Sequence, residues 1–185
     1  MSVADAPPSA SAPAIVLMGV AGSGKTVTGE ALAKRLGFRF LDGDYLHPRA
    51  NVAKMASGVP LTDDDRWPWL DAIGHAIAAE ENGVVVACSA LKRAYRERLT
   101  AAAGKPLAFI LLDGSEATLA ERLGRRKGHF MPPSLLKSQL ATLERPGTGE
   151  RAAIVSVETS VAEVVEAAVA ALARLGALTP RLSAG

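Results

Sequence analysis

Between residues 19 and 26 the chain reads Gly-Val-Ala-Gly-Ser-Gly-Lys-Thr. The three glycines let a backbone curl until successive N–H groups point inward, which makes a cradle for an anion. A helix opening directly behind such a loop adds the partial positive charge of its N-terminus. Lys25 then supplies a full cation and Thr26 a hydroxyl oxygen. This is the G-x-x-x-x-G-K-[ST] spacing of a phosphate loop for a nucleoside triphosphate. A glycine turn matching by chance is the plainer reading. It does not require an apolar strand in front and a helical pattern behind, and both are present, at Ile15–Met18 and Thr26–Leu36. Gly19, Val20, Ala21, Gly22, Ser23, Gly24, Lys25 and Thr26 are therefore read as ATP-binding. Lys25 would reach the β- and γ-phosphates, and Thr26 would offer its hydroxyl to Mg2+.

A second polar group follows the next apolar run. Asp42-Gly43-Asp44 puts two carboxylates at the C-terminal end of a strand, the edge where the phosphate loop also lies. Two residues apart on extended backbone, they would face the same side. One can hold a magnesium shell and the other can take a proton from an attacking hydroxyl. The plainer reading is a polar turn, since Asp-Gly is a common turn dipeptide. Other P-loop classes fit less well. No Asn-Lys pair exists for a guanine-reading N-K-x-D, and the third apolar run, Val84–Cys88, ends in Ser89 rather than in an acid.

The elements that must position these groups are legible. Ile15–Met18, Phe38–Leu41, Val84–Cys88, Leu107–Leu112 and Ile154–Val157 are short, mostly unbroken apolar runs, as strands buried on both faces read. Helical patterns cover Thr26–Leu36, residues 64–81, Glu116–Arg126 and a stretch to Leu175 that opens on the capping box Ser160-Val-Ala-Glu163. Strands alternating with helices predict an α/β domain with right-handed crossovers. Residues 43–66 and 125–134 break the alternation, and excursions of this kind tend to carry the site.

Composition sets outer bounds. The 185 residues suit one domain, with an Ala/Ser/Pro-rich tail expected at 1–13, the domain at 14–176 and a second tail at 177–185. Hydrophobic residues at 49% exclude a wholly disordered chain, and aromatics at 4% argue against a nucleic-acid module built on stacked rings. The net charge of +2 gives no ground for a nucleic-acid or membrane partner, so any functional positive charge must be local. One cysteine, Cys88, cannot form an internal disulfide. The N-terminus has neither the basic flank nor the apolar core of a signal peptide, and no apolar run reaches membrane-helix length. A cytoplasmic protein is the expectation.

The run Leu41-Asp-Gly-Asp-Tyr-Leu-His-Pro48 resembles the signature of the gluconate kinases, small P-loop enzymes related to shikimate kinase. The resemblance continues through Asn51–Gly58, Pro60–Leu70, Cys88–Arg96, Arg126–Phe130 and Leu143–Pro146, and covers about residues 14–175. It implies a three-layer P-loop kinase fold with a five-stranded parallel sheet in the order 2-3-1-4-5 and a lid at about 125–134. The implied reaction is transfer of the ATP γ-phosphoryl group to D-gluconate, giving 6-phospho-D-gluconate. Asp44 becomes the base, while Asp42 and Thr26 organise Mg2+. Arg66 is implied to bind the acceptor carboxylate, which its guanidinium fork matches; its block Asp63-Asp-Asp-Arg66 also reads as a solvated helix start. In this fold type the loop after strand three faces the acceptor. That brings in Ser89 and Lys92, although Lys92, Arg93, Arg96 and Arg98 also read as an exposed helix face. His47 and Lys54 can hydrogen-bond a polyol. Arg122 and Arg126 are implied nucleotide and lid cations, Arg126 as a catalytic one, with His129 near the substrate; cations at a helix C-terminus are the plainer reading. The family often forms dimers, so a homodimer is admitted. A kinase for another small hydroxy acid such as shikimate, or a nucleotide-binding protein without catalysis, are the rival readings.

Overall fold

The apolar runs become five strands: β1 (Ala14–Met18), β2 (Arg39–Asp42), β3 (Val84–Ala87), β4 (Ala108–Asp113) and β5 (Ala152–Ser156). The structure, a computed structural model, describes residues 12–125 and 133–178. All strand pairings are parallel, in the order β2-β3-β1-β4-β5, which is the expected order. β1 and β3 are buried along their whole length and β4 along all but its last residue, while the edge strands β2 and β5 are more exposed. That is why the central runs carry no polar alternation.

Helices α1 (Lys25–Leu36), α2 (Arg49–Ala56), α3 (Asp63–Ala78), α4 (Arg93–Ala103), α5 (Glu116–Gly124), α6 (Pro133–Thr142) and α7 (Val161–Arg174) complete the described fold. On one face of the sheet Trp69, Leu70, Ile73 and Ile77 of α3 and Tyr95 and Leu99 of α4 pack against Val16, Met18, Val84 and Val86. On the other, Leu32 of α1 and Val164, Val165, Ala168 and Leu172 of α7 cover Ile15, Leu17, Val85 and Ile110. Each large apolar side chain so buried contributes about 1.5–3 kcal/mol. α3 and α4 approach closely because position 74 is glycine; a Cβ there would collide with Ala102.

Two segments differ from the sequence pattern. Residues 43–66 are not one irregular excursion: they form a 3-10 turn (Gly43–Leu46), α2 and the start of α3. α2 lacks a readable apolar stripe because Asn51 is its one buried residue. Of the expected lid, Arg126, Lys127 and His129 lie outside the described residues, and α6 takes over from Pro133. The N-terminal tail expected at 1–13 lies outside them up to residue 11; Pro13 already accepts a hydrogen bond from the Val84 N–H at 3.0 Å. At the other end Ala177 packs into the α7 core.

Candidate active site

The phosphate loop joins β1 to α1 at the C-terminal edge of the sheet. Gly19 has φ 142°, and a Cβ there would sit 2.8 Å from the Leu112 carbonyl oxygen and 3.0 Å from Ser23 Oγ, so only glycine fits. Ser23 is fully buried, and among the described residues its hydroxyl is the one buried side-chain polar atom without a hydrogen-bond partner. Lys25 Nζ donates to the carbonyls of Gly19 and Val20, each at 3.0 Å, so the ammonium lies folded across its own loop. Thr26 Oγ1 donates to Asp42 Oδ2 at 3.2 Å. These two oxygens are the hard donors that magnesium prefers, and they lie side by side at the loop's end. Among the described residues no group of three His, Cys, Asp or Glu is placed to hold a metal ion. A magnesium bound through one carboxylate, a hydroxyl and phosphates needs no such cage.

The acidic pair departs from the expected geometry. Asp42 ends β2, but Asp44 lies in the 3-10 turn rather than on extended backbone. Asp42 Oδ1 accepts the Asp44 N–H at 3.0 Å and so caps that turn. The turn rotates the chain and leaves Asp44 exposed, while Asp42 is half-buried against Thr26. The two carboxylates therefore have different surroundings, which a same-side arrangement would not give.

A cluster of cations forms beside them. Lys92, at the N-terminus of α4, donates to both Asp63 oxygens at 2.8 and 3.0 Å, and Tyr95 Oη donates to Asp63 Oδ1 at 2.5 Å. The Tyr95 ring has two cations near it: the Arg66 guanidinium is 5.7 Å from its centroid and Lys92 Nζ is 5.4 Å. Arg66 Nη1 donates to the Leu61 carbonyl at 2.6 Å and stands 3.9 Å from the Asp63 carboxylate. The hydrogen bonds from Lys92 and then Tyr95 hold the Asp63 carboxyl below its usual value, and Asp63 in turn raises Lys92. Both Arg66 and Lys92, expected in the acceptor site, are thus brought together.

Ser89 sits where β3 gives way to α4, and its carbonyl accepts the Gly19 N–H at 3.2 Å, joining this loop to the phosphate loop. The next residue, Ala90, is buried and has φ 41°, a left-handed conformation that costs a non-glycine residue about 1–2 kcal/mol. Arg96 holds it there. Its Nη1 donates to the carbonyls of Ala90 (3.2 Å), Leu91 (3.3 Å) and Glu144 (3.1 Å), while Nε and Nη2 grip Glu150 at 2.5 and 3.0 Å. The exposed-face reading of Arg96 is therefore corrected: the side chain is 2% exposed and ties the loop after β3 to the segment between α6 and β5. Arg93 and Arg98 do lie on the exposed face of α4.

His47 and Lys54 are both engaged, His47 against α3 and Lys54 within its own segment. The His47 ring stacks on Trp69 at 4.1 Å, and Trp69 Nε1–H donates to the Gly43 carbonyl at 2.8 Å. Burial pushes the His47 pKa down, against the pull of Asp44. Lys54 Nζ pairs with Asp65 at 2.6 and 2.8 Å, and Asp65 also closes a capping box with Thr62. The Lys54 bond, followed by the Thr62 N–H, pulls the Asp65 carboxyl from 3.8 to about 2. A folded value below the unfolded one gives stability that is complete above about pH 4 and is lost as the pH falls through the folded value. Asp65→Asn should therefore lower the melting temperature at pH 7, and its gap to the parent should close between about pH 4 and pH 2. Thermal melts across that range check it; a gap that does not change with pH would separate Asp65 from the acid response.

On the far side of the phosphate loop, Arg122 Nη2 donates to the Val157 carbonyl at 2.5 Å. A hollow of about 260 Å³ opens there, lined by residues that include Gly24, Val27, Arg122, Val157, Thr159 and Val161. Val27 and Val161 are 57% and 42% exposed, and both face this hollow. Two exposed valines and a guanidinium beside the phosphate loop offer walls for a flat ring.

Residues 15–146 match the family described as an AAA domain. A gluconokinase of Gluconobacter oxydans (strain 621H) is 53% identical over 156 residues, which is 82% of this chain and 86% of the relative. The chain belongs to the gluconokinase family. The crystal structure of a gluconokinase from Sinorhizobium meliloti 1021 superposes with a TM-score of 0.81 at 55% identity, covering 88% of this chain and 93% of that one. A shikimate kinase from Acinetobacter baumannii, solved in complex with shikimate, shares the fold alone, with a TM-score of 0.58 at 19% identity over 88% of this chain and 94% of that one. The sequence pattern does not assign the contacts of Asp63 and Tyr95 beside the cations, of Val157 and Thr159 at the hollow, or of the Arg96–Glu150 pair. Glu144 lay within the Leu143–Pro146 block without any indication of its contacts. Among the described residues no helix is long and apolar enough to cross a membrane.

Proposed function

We propose that this chain transfers the γ-phosphoryl group of ATP to a hydroxyl of D-gluconate, giving 6-phospho-D-gluconate. The observation that carries the reading is the meeting, at one sheet edge, of the Lys25 and Thr26–Asp42 loop with the Arg66–Lys92 cluster, in a chain of the gluconokinase family. In this reading the adenine enters the hollow between Val27, Val161 and Arg122, and the phosphates lie along the loop's N–H groups. Lys25 exchanges the Gly19 and Val20 carbonyls for phosphate oxygens. Thr26 Oγ1 and Asp42 Oδ2 would hold Mg2+, which when bound supplies positive charge against the β- and γ-phosphate oxygens.

Asp44, exposed at the turn that Asp42 caps, accepts the proton of the attacking hydroxyl. Arg66 grips the gluconate carboxylate with its fork, and Lys92 adds a second cation. Ser89, His47 and Lys54 give hydrogen bonds to the remaining hydroxyls, Lys54 by leaving Asp65. Arg122, together with Arg126 and His129 beyond the described residues, is assigned to the nucleotide and the migrating phosphoryl group. Transfer of this kind needs positioning and electrostatics rather than a nucleophilic side chain. Cys88 fits that view, because burial pushes its thiol up to about 12. The ATP donor and the single thiol are consistent with a cytoplasmic setting.

A coupled ADP-release assay over gluconate, other sugar acids and shikimate tests the proposal. Turnover confined to shikimate, or none with any acceptor, would favour the rival readings. Arg66→Lys replaces a fork by a point charge, so it should raise the gluconate KM several-fold and leave the ATP KM close to the parent. A larger effect on ATP would move Arg66 out of the acceptor site.

A further inference from the structure

α6 makes a contact that neither the phosphate loop nor the cation cluster accounts for. Gln139 Oε1 accepts the Ala21 N–H at 2.6 Å, across 118 residues of sequence. Ala21 lies in the phosphate loop, whose N–H groups are its ligands for phosphate. The helix is seated for this contact. Leu136, three residues earlier on the same face, is buried with Val20 of the phosphate loop, Leu91 of the loop after β3 and Leu119 of α5, and Leu140 and Leu143 extend the stripe. Just beyond the helix, the Glu144 N–H donates to the Leu91 carbonyl at 2.8 Å, and Glu144 Oε2 accepts the Arg93 N–H at 2.7 Å. One short segment therefore touches the nucleotide loop at Gln139 and the acceptor loop at Glu144.

We propose that Gln139 is a positioning residue for phosphoryl transfer, fixing the phosphate loop at Ala21 and, through α6, holding that loop in register with the loop bearing Ser89 and Lys92. The proposal rests on the ATP-dependent kinase reading above. An amide suits the task. Its oxygen takes the N–H without adding a negative charge next to the ATP phosphates, as a carboxylate would.

The test uses the full chain with Gln139→Leu and, against a steric effect of leucine, Gln139→Ala. Steady-state constants for ATP and gluconate, a directly measured ATP dissociation constant and the melting temperature are read for each. Both variants should raise the ATP KM and dissociation constant about three- to tenfold, the effect of one lost hydrogen bond. The gluconate KM should stay within about twofold and the melting temperature within a few degrees. With an active parent, unchanged ATP constants in both variants would overturn the proposal, as would ATP and gluconate constants that worsen equally alongside a large fall in melting temperature. A parent that binds ATP but phosphorylates no acceptor would instead overturn the kinase reading, so the two failures are distinguishable.

Discussion

Lys25→Ala lowers turnover at least about a hundredfold while the fold persists, because preorganised charge is commonly the largest catalytic term. The side chain makes its described contacts with the carbonyls of its own loop, and water can satisfy those carbonyls when the ammonium is removed. The loop itself is shaped by Gly19, by its bond to Ser89 and by the Ala21–Gln139 contact, none of which involves the lysine side chain. Circular dichroism and a melting curve should match the parent while kcat collapses. Near-normal turnover would remove Lys25 from the chemistry.

Asp44→Asn should lower kcat about a hundredfold or more, the typical loss of a general base, with ATP–magnesium affinity close to the parent. Asp42→Asn should instead alter the magnesium dependence, because Asp42 shares its oxygen with the Thr26 hydroxyl. Asparagine at position 42 still offers an oxygen to the Asp44 N–H, so the turn should survive and the metal effect can be read without loss of the scaffold. The deciding measurement is a magnesium titration of initial rate for each variant beside direct nucleotide binding. Rescue of Asp44→Asn by excess magnesium, without rescue of Asp42→Asn, would reverse the two roles. Normal activity in both would reduce the pair to turn residues.

The central strands were legible because burial on both faces forces unbroken apolar runs, and no polar residue interrupts Val84–Ala87 or Ala108–Leu112. The phosphate loop was legible because its backbone conformation demands glycine at fixed spacing. α2 was not, since a helix that buries only Asn51 leaves no apolar period to count. At Asp44 the polar-turn reading prevails over the same-side one, because a side-chain cap from Asp42 overrides the extended geometry that a strand end suggests. Arg96 illustrates the limit of local reading. An arginine in a basic stretch is usually solvated, and nothing near it announces that Glu144 and Glu150 will fold back onto it.

That fold-back bears on the order in which the site is completed. The partners of Arg96 lie 48 and 54 residues further along the chain. Contacts of such separation form late, after the loop-closure entropy has been overcome. Arg96 reaches the Ala90 and Leu91 carbonyls locally, but its own setting is complete only when the segment that leads into β5 has docked on it. A nascent chain that has exposed its phosphate loop and acidic turn would still lack a finished acceptor side. Its nucleotide side would be unfinished as well, since Gln139 and the hollow residues Val157, Thr159 and Val161 also lie late in the chain.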